Sequence, residues 1–145
     1  MGIKTGKLNT SFRAFIEKQV MFFVATAGPD GRVNACSKGM VYLRVISDQK
    51  IVWLSLTGNG NETAANLRQD PRMTLMFSAF KVDHLILRTY GAAKVIHPRD
   101  AELDEHYALF PDFAGAGNML VLDIDLVATS RGSSVPETSL VRSRG

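Results

Sequence analysis

Apolar residues first fall at helical spacing in "NTSFRAFIEKQ", where Phe12, Phe15 and Ile16 share one side and Asn9, Thr10 or Ser11 can cap the start. "VMFFVATA" then predicts a strand, and "GPDG" at 28–31 a tight turn. "RVNACSKGMVYLRVIS" continues as a second strand, so Val20 to Ser47 is expected to form one long hairpin. "KIVWLSLTG" gives a third strand, rich in branched and aromatic residues. Alternation along it puts Trp53, Ser55 and Thr57 on one face and Val52, Leu54 and Leu56 on the other. The second set is expected in the core and the first beside something more polar. "NETAANLRQD" predicts a short helix stopped by Pro71, and "RMTLMFSAF" and "HLILRTYGAAKVI" a fourth and fifth strand. "PRDAELDEHYALF" predicts a helix, with Pro98 and Asp100 at its start and Leu103, Tyr107 and Phe110 on one face. "NMLVLDIDLVATS" closes the series as a sixth strand, with Asp123 and Asp125 pointing outward.

Six short strands with only brief helices predict a mainly β domain of the α+β class over residues 1–130. A compact antiparallel barrel closes its own edges and suits this length. Residues 131–145 form a polar, Ser-rich tail, expected to be mobile unless a partner holds it. No internal repeat or interior linker divides the chain. The pair Gly58 and Gly60 lacks the third glycine of a dinucleotide fingerprint and precedes only a short helix, which argues against a doubly wound sheet.

Composition narrows the function classes. A chain of 145 residues with 46% hydrophobic and 21% charged residues reads as one soluble globular domain. Its longest apolar run falls far short of the roughly 20 residues that span a bilayer. The start shows no secretory pattern, and Gly6 stands where a myristoylation signal needs Ser or Thr. The sequons at Asn9 and Asn61 have no meaning without export, and the lone Cys36 suits a reducing compartment, so a cytoplasmic location is expected. The net charge of +3 is scattered rather than gathered into a basic stripe with aromatic platforms. Nucleic acid is therefore not an expected partner, whereas an anionic small molecule is compatible.

The stretch "GNGNET" between the third strand and the following helix is the main candidate for chemistry. Glycines let backbone N–H groups approach a ligand, and the first turn of a helix leaves such groups unpaired, where anions settle. Asn61 is placed to cap the helix and Thr63 to present its hydroxyl at the helix mouth. Glu62 would favour the helix dipole but repel a phosphate it faced. On the residues alone a cap outweighs a cradle, and both readings stand. In "NACSKGM", Ser37 and Lys38 point to opposite faces of a regular strand, and reach one ligand only if Gly39 marks a bulge. Cys36 reads as a small buried hydrophobe. His84, His97 and His106 share no metal-ligand spacing with each other or with Cys36. Arg88 and Tyr90 share a face of the fifth strand, and no pair of residues makes an acid–base couple.

Taken in order, "FFVATAGPDGRVNACSKG", "IVWLSLTGNGNETAANLRQDPRMTLMF" and "LILRTYGAAKVI" resemble the pyridoxamine 5'-phosphate oxidase-related, FMN-binding split-barrel family, over roughly residues 10 to 130. The resemblance implies a six-stranded antiparallel split β-barrel and a homodimer with FMN at its interface. It implies Ser37, Lys38, Thr57, Asn61, Thr63, Asn66 and Arg88 as cofactor contacts, and flavin-dependent oxidoreductase chemistry on a small molecule. Relatives of the fold that hold a deazaflavin or haem, or bind flavin without turnover, are the alternatives it leaves. The oxidases proper resemble this stretch but carry Ser-Arg-Lys where Asn61, Glu62 and Thr63 stand, and an arginine near Cys36. Two phosphate-facing cations are thus missing, and pyridoxamine phosphate oxidation itself is not expected. A closer subfamily ends its last strand in Ser-Cys-Gly-x-Gly-Val-Pro, which Ser130, Gly132, Val135 and Pro136 match and Arg131, Ser133 and Ser134 do not.

Overall fold

The computed structural model describes residues 2–56, 61–81, 84–97, 109–110 and 117–142. Elements follow in the order β1 (Lys4–Thr5), α1 (Thr10–Glu17), β2 (Met21–Ala27), β3 (Val33–Gly39), β4 (Leu43–Ser47), β5 (Lys50–Leu56), α2 (Asn61–Gln69), β6 (Arg72–Ser78), β7 (Leu85–Ile96) and β8 (Gly117–Arg131). All strand pairs are antiparallel, in one sheet ordered β3-β2-β6-β7-β8-β5-β4 with β1 added on β8. β3 and β4 end that path, yet a three-residue 3-10 turn, Met40–Tyr42, joins them in the chain. The sheet therefore curls until its two edges approach without pairing, which is a split barrel.

The expected hairpin from Val20 to Ser47 forms in its first part, β2 with β3, but its second strand is two separate strands, β3 and β4. β3 pairs with β2 and β4 pairs with β5 at the other end of the sheet. Together with the short β1, this gives eight strands among the described residues where six were predicted. α1 forms where expected, with the Asn9 side chain accepting from Phe12 N–H at 2.7 Å, and with Phe12, Phe15 and Ile16 buried. Of the helix predicted over residues 98–110, residues 98–108 lie outside the described residues, and Phe110 is buried.

β5 is interior to the sheet and covered on both sides, so alternation does not sort its faces into core and polar. Ile51 and Trp53 enter the main core, where Trp53 meets Phe22 edge-on at 5.9 Å and Phe22 stacks on Phe77 at 6.0 Å. Val52 and Leu54 join a second cluster with Ile96, Phe110, Met119 and Val121. The expectation that Trp53 lines a polar space is overturned by this packing. Asp123 and Asp125 do point outward, and Asp123 lies 3.7 Å from Lys50. A register shift between Tyr90 and Gly91 skips Asp125, so β8 carries a bulge there, and a Cβ on Gly91 would lie 1.9 Å from the carbonyl oxygen of Asp123.

β8 runs through Arg131, one residue into the expected tail. Beyond it the described part of the tail bonds back to the domain. Gly132 N–H donates to the His84 carbonyl at 2.7 Å, and Thr138 N–H to the Phe80 carbonyl at 2.6 Å. Among the described residues no helix is long and apolar enough to cross a membrane.

Candidate functional site

α2 packs its Thr63, Asn66 and Leu67 side inward, at the three- and four-residue spacing of one helical face. Leu67 belongs to the main core and anchors the helix. Two side-chain hydrogen bonds then tie α2 to the β2–β3 hairpin. Asn34 Nδ2 donates to Thr63 Oγ1 at 3.4 Å, and Asn66 Nδ2 donates to Thr26 Oγ1 at 3.2 Å. Thr26 and Asn34 are cross-strand partners across the hairpin. They share the inward face of their strands, with Thr26 and Thr63 both only 3% exposed. At Gly28 the hairpin turn comes so close to α2 that a Cβ would sit 3.3 Å from Gln69 Oε1 and 3.6 Å from Asn66 Oδ1. The helix ends where Pro71 removes a donor, and Asp70 takes over with bonds from the backbone N–H and side chain of Arg72. The Arg72 guanidinium holds the Asp70 carboxyl below the usual carboxylate range.

The result is a patch of neutral amide and hydroxyl groups beside the first turn of a nine-residue helix. That turn carries backbone N–H groups with no partner inside the helix, and the exposed Glu62. Thr63 accepts from Asn34 and keeps its own hydroxyl hydrogen to donate elsewhere. Such a donor set suits a phosphate ester held by hydrogen bonds rather than by paired cations.

Of the residues picked out from sequence, Thr63 and Asn66 meet here. Asn61 is the first residue of α2, and Thr57 lies outside the described residues. β2 and β3 pair without a register shift, so no bulge turns Ser37 and Lys38 to one side. Lys38 faces inward beside the core with Cys36 and Asn34, opposite Phe22, while Ser37 is exposed on the outer face. Arg88 is on that outer face as well, in the cross-strand row Ser37, Phe23, Met76, Arg88 and Ala128, with Nη1 3.2 Å from Ser130 Oγ. The next row, Ala35, Ala25, Thr74 and Tyr90, continues this half-buried and largely apolar surface. Sequence reasoning missed Thr26 and Asn34. Their signal was the hairpin turn itself, which fixes them as partners on one face once "GPDG" is read as its centre. Among the described residues no group of three His, Cys, Asp or Glu could hold a metal ion.

Residues 8–130 match the protein-family model for pyridoxamine 5'-phosphate oxidase. The chain belongs to the pyridoxamine 5'-phosphate oxidase family. A curated relative, the pyridoxamine 5'-phosphate oxidase family protein ustO of Aspergillus flavus, is 33% identical over 135 residues, which are 89% of this chain and 54% of that protein. The chain thus spans about half the length of the curated relative it matches. HupZ of Group A Streptococcus superposes with a TM-score of 0.68 at 16% identity, over 91% of this chain and 99% of that one. An FMN-binding protein from Syntrophomonas wolfei gives 0.57 at 17% identity, over 90% of this chain and 85% of its own. At these identities the likeness is of fold, and it agrees with the split barrel of the pyridoxamine 5'-phosphate oxidase family traced above.

Proposed function

We propose that this member of the family binds FMN and acts as a flavin-dependent oxidoreductase on a small molecule, as a homodimer in the cytoplasm. The observation that carries the reading is the junction of α2 with the β2–β3 hairpin, where Asn34, Thr63 and Asn66 converge beside the first turn of the helix. These groups fit a phosphate ester. Asn34 and Thr63 would hold the phosphate together with the helix N–H groups, and Asn66 would fix the helix against Thr26. Ser37 and Arg88 would contact the flavin from the outer face, with Lys38, Asn61 and Thr57 as further contacts. Bound FMN would supply the hydride chemistry, while the protein contributes position and electrostatics. That division agrees with the lack of an acid–base couple in the sequence. The half-buried apolar rows through Phe23, Met76 and Tyr90 support pairing of two copies on this face.

The test is a titration of purified protein with FMN, riboflavin and a deazaflavin, followed by flavin fluorescence. FMN is expected to bind at micromolar concentration or better and more tightly than riboflavin. The neutral donor set is what would favour a deazaflavin, and preference for that cofactor would replace the FMN reading. No binding of any of the three would refute both.

A further inference from the structure

A second cleft lies away from α2, at the far end of β2 and β6. It encloses about 330 Å³, at the low end of the range for small-molecule sites. One wall is the turn from α1 into β2, with Val20 and Met21. The opposite wall is the end of β6 with Phe80, and the described tail crosses over with Leu140 and Val141. The tail is held there by the bond from Thr138 N–H to the Phe80 carbonyl. Exposed large apolar side chains concentrate at this spot: Val20 is 43% exposed, Leu140 57% and Val141 91%. A strap that leaves three such side chains open to water gains little from hydrophobic burial in the free chain. It gains more if something apolar fills the space between them.

The charged residues among the described lining are both positive. Lys18 and Lys81 are exposed at the edge of the cleft, and no Asp or Glu is among its described lining residues. Long lysine stems lie along apolar surface while their ammonium groups stay in water, a position from which they can meet an anionic head. We propose that this cleft binds an amphipathic carboxylate, an aliphatic chain lodged between Val20, Phe80 and Leu140 with its carboxylate between Lys18 and Lys81.

Calorimetric titration of the full, flavin-free chain with decanoate tests this independently of any flavin site. Decanoate is expected to bind with one site per chain. Leu140→Asp, a change at an exposed position that should leave the fold intact, is expected to weaken it tenfold or more. Lys18→Ala and Lys81→Ala are each expected to weaken decanoate about threefold, and together about tenfold, as exposed ion pairs do. Binding of neutral decanol should not respond to the lysine changes. Failure of the unaltered chain to bind decanoate overturns the proposal. So does binding that is insensitive to Leu140→Asp, or binding that depends on Leu140 but ignores both lysines.

Discussion

Thr63→Val separates a hydroxyl that ties α2 from one that holds a ligand. Valine keeps the branched shape of the side chain and a similar helix propensity, so packing around this position, 3% exposed, should change little. What is lost in the free protein is one long hydrogen bond from Asn34 at 3.4 Å. A net hydrogen bond contributes about 0.5–1.5 kcal/mol, and this length argues for the low end. Asn34 is only half-buried, so water can replace the lost acceptor. The melting temperature should therefore fall by only about 2 °C. The effect on FMN is expected to be larger. A hydrogen bond to a charged group is worth about 1.5–3 kcal/mol, which predicts roughly tenfold to hundredfold weaker binding. Riboflavin lacks the phosphate and should bind the variant as it binds the original. Fluorescence titrations of both ligands, with a thermal melt, decide the matter. Equal losses for FMN and riboflavin would refute the phosphate role of Thr63, and an unchanged FMN affinity with the small thermal loss would reduce the hydroxyl to a structural tie.

Three further outcomes are expected. Met76→Glu on the outer face, beside Phe23 and Arg88, should shift the chain from dimer to monomer in sedimentation while circular dichroism stays unchanged; a monomeric parent protein with flavin bound would contradict the interface. Gly91→Ala should be strongly destabilising, by about 3 kcal/mol, the scale of severe overpacking, because its Cβ meets the backbone oxygen of Asp123; a melting temperature within a few degrees of the parent would show that the bulge in β8 relaxes readily. Asp70→Asn should flatten the acid limb of the stability curve: the folded-state pKa of Asp70 is depressed by Arg72, so its contribution is present above about pH 4 and fades as pH falls through the lowered value. Urea titrations from pH 2 to 6 that give parallel curves for parent and variant would sink that assignment.

Much of the fold was legible because the strands punctuate themselves. "GPDG" fixes the first hairpin, Pro71 ends α2, and Asn9 caps α1 within the stretch where a cap was expected. Two features were hidden for physical reasons. Residues 33–47 have strand character throughout, and no strong breaker marks the 3-10 turn at Met40–Tyr42. Only the path of the sheet, which sends β4 to β5, separates the two halves. Trp53 was misplaced because a strand covered on both faces has no polar side for alternation to reveal. At the site, Thr63 was visible from its place at the start of a helix, and Asn66 only through the resemblance to the family. Asn34 was not, because its partner Thr63 lies 29 positions away and their meeting depends on how α2 docks.

The β2–β3 hairpin connects the two surfaces on which the proposed function depends. Its inward face carries Thr26 and Asn34, the partners of α2, and its outward face carries Phe23 and Ser37 in the apolar row that reaches Arg88. Alternation makes these assignments inseparable. A slip of one residue in the β2–β3 register would move Asn34 outward and Ser37 inward together, removing the tie to α2 and placing a hydroxyl against the core. A phosphate contact at Asn34 and a flavin contact at Ser37 therefore do not require both groups to lie on one side of the strand. Within one copy they fit a ligand that passes around the outer edge of β3, the open seam of the split barrel, which among the described residues pairs with no strand because β4 lies at the other end of the sheet. A fully closed barrel would pair that edge and block the passage. The seam, left open by the three-residue turn at Met40–Tyr42, is thus the topological feature that would let one short strand contribute to both parts of the proposed site.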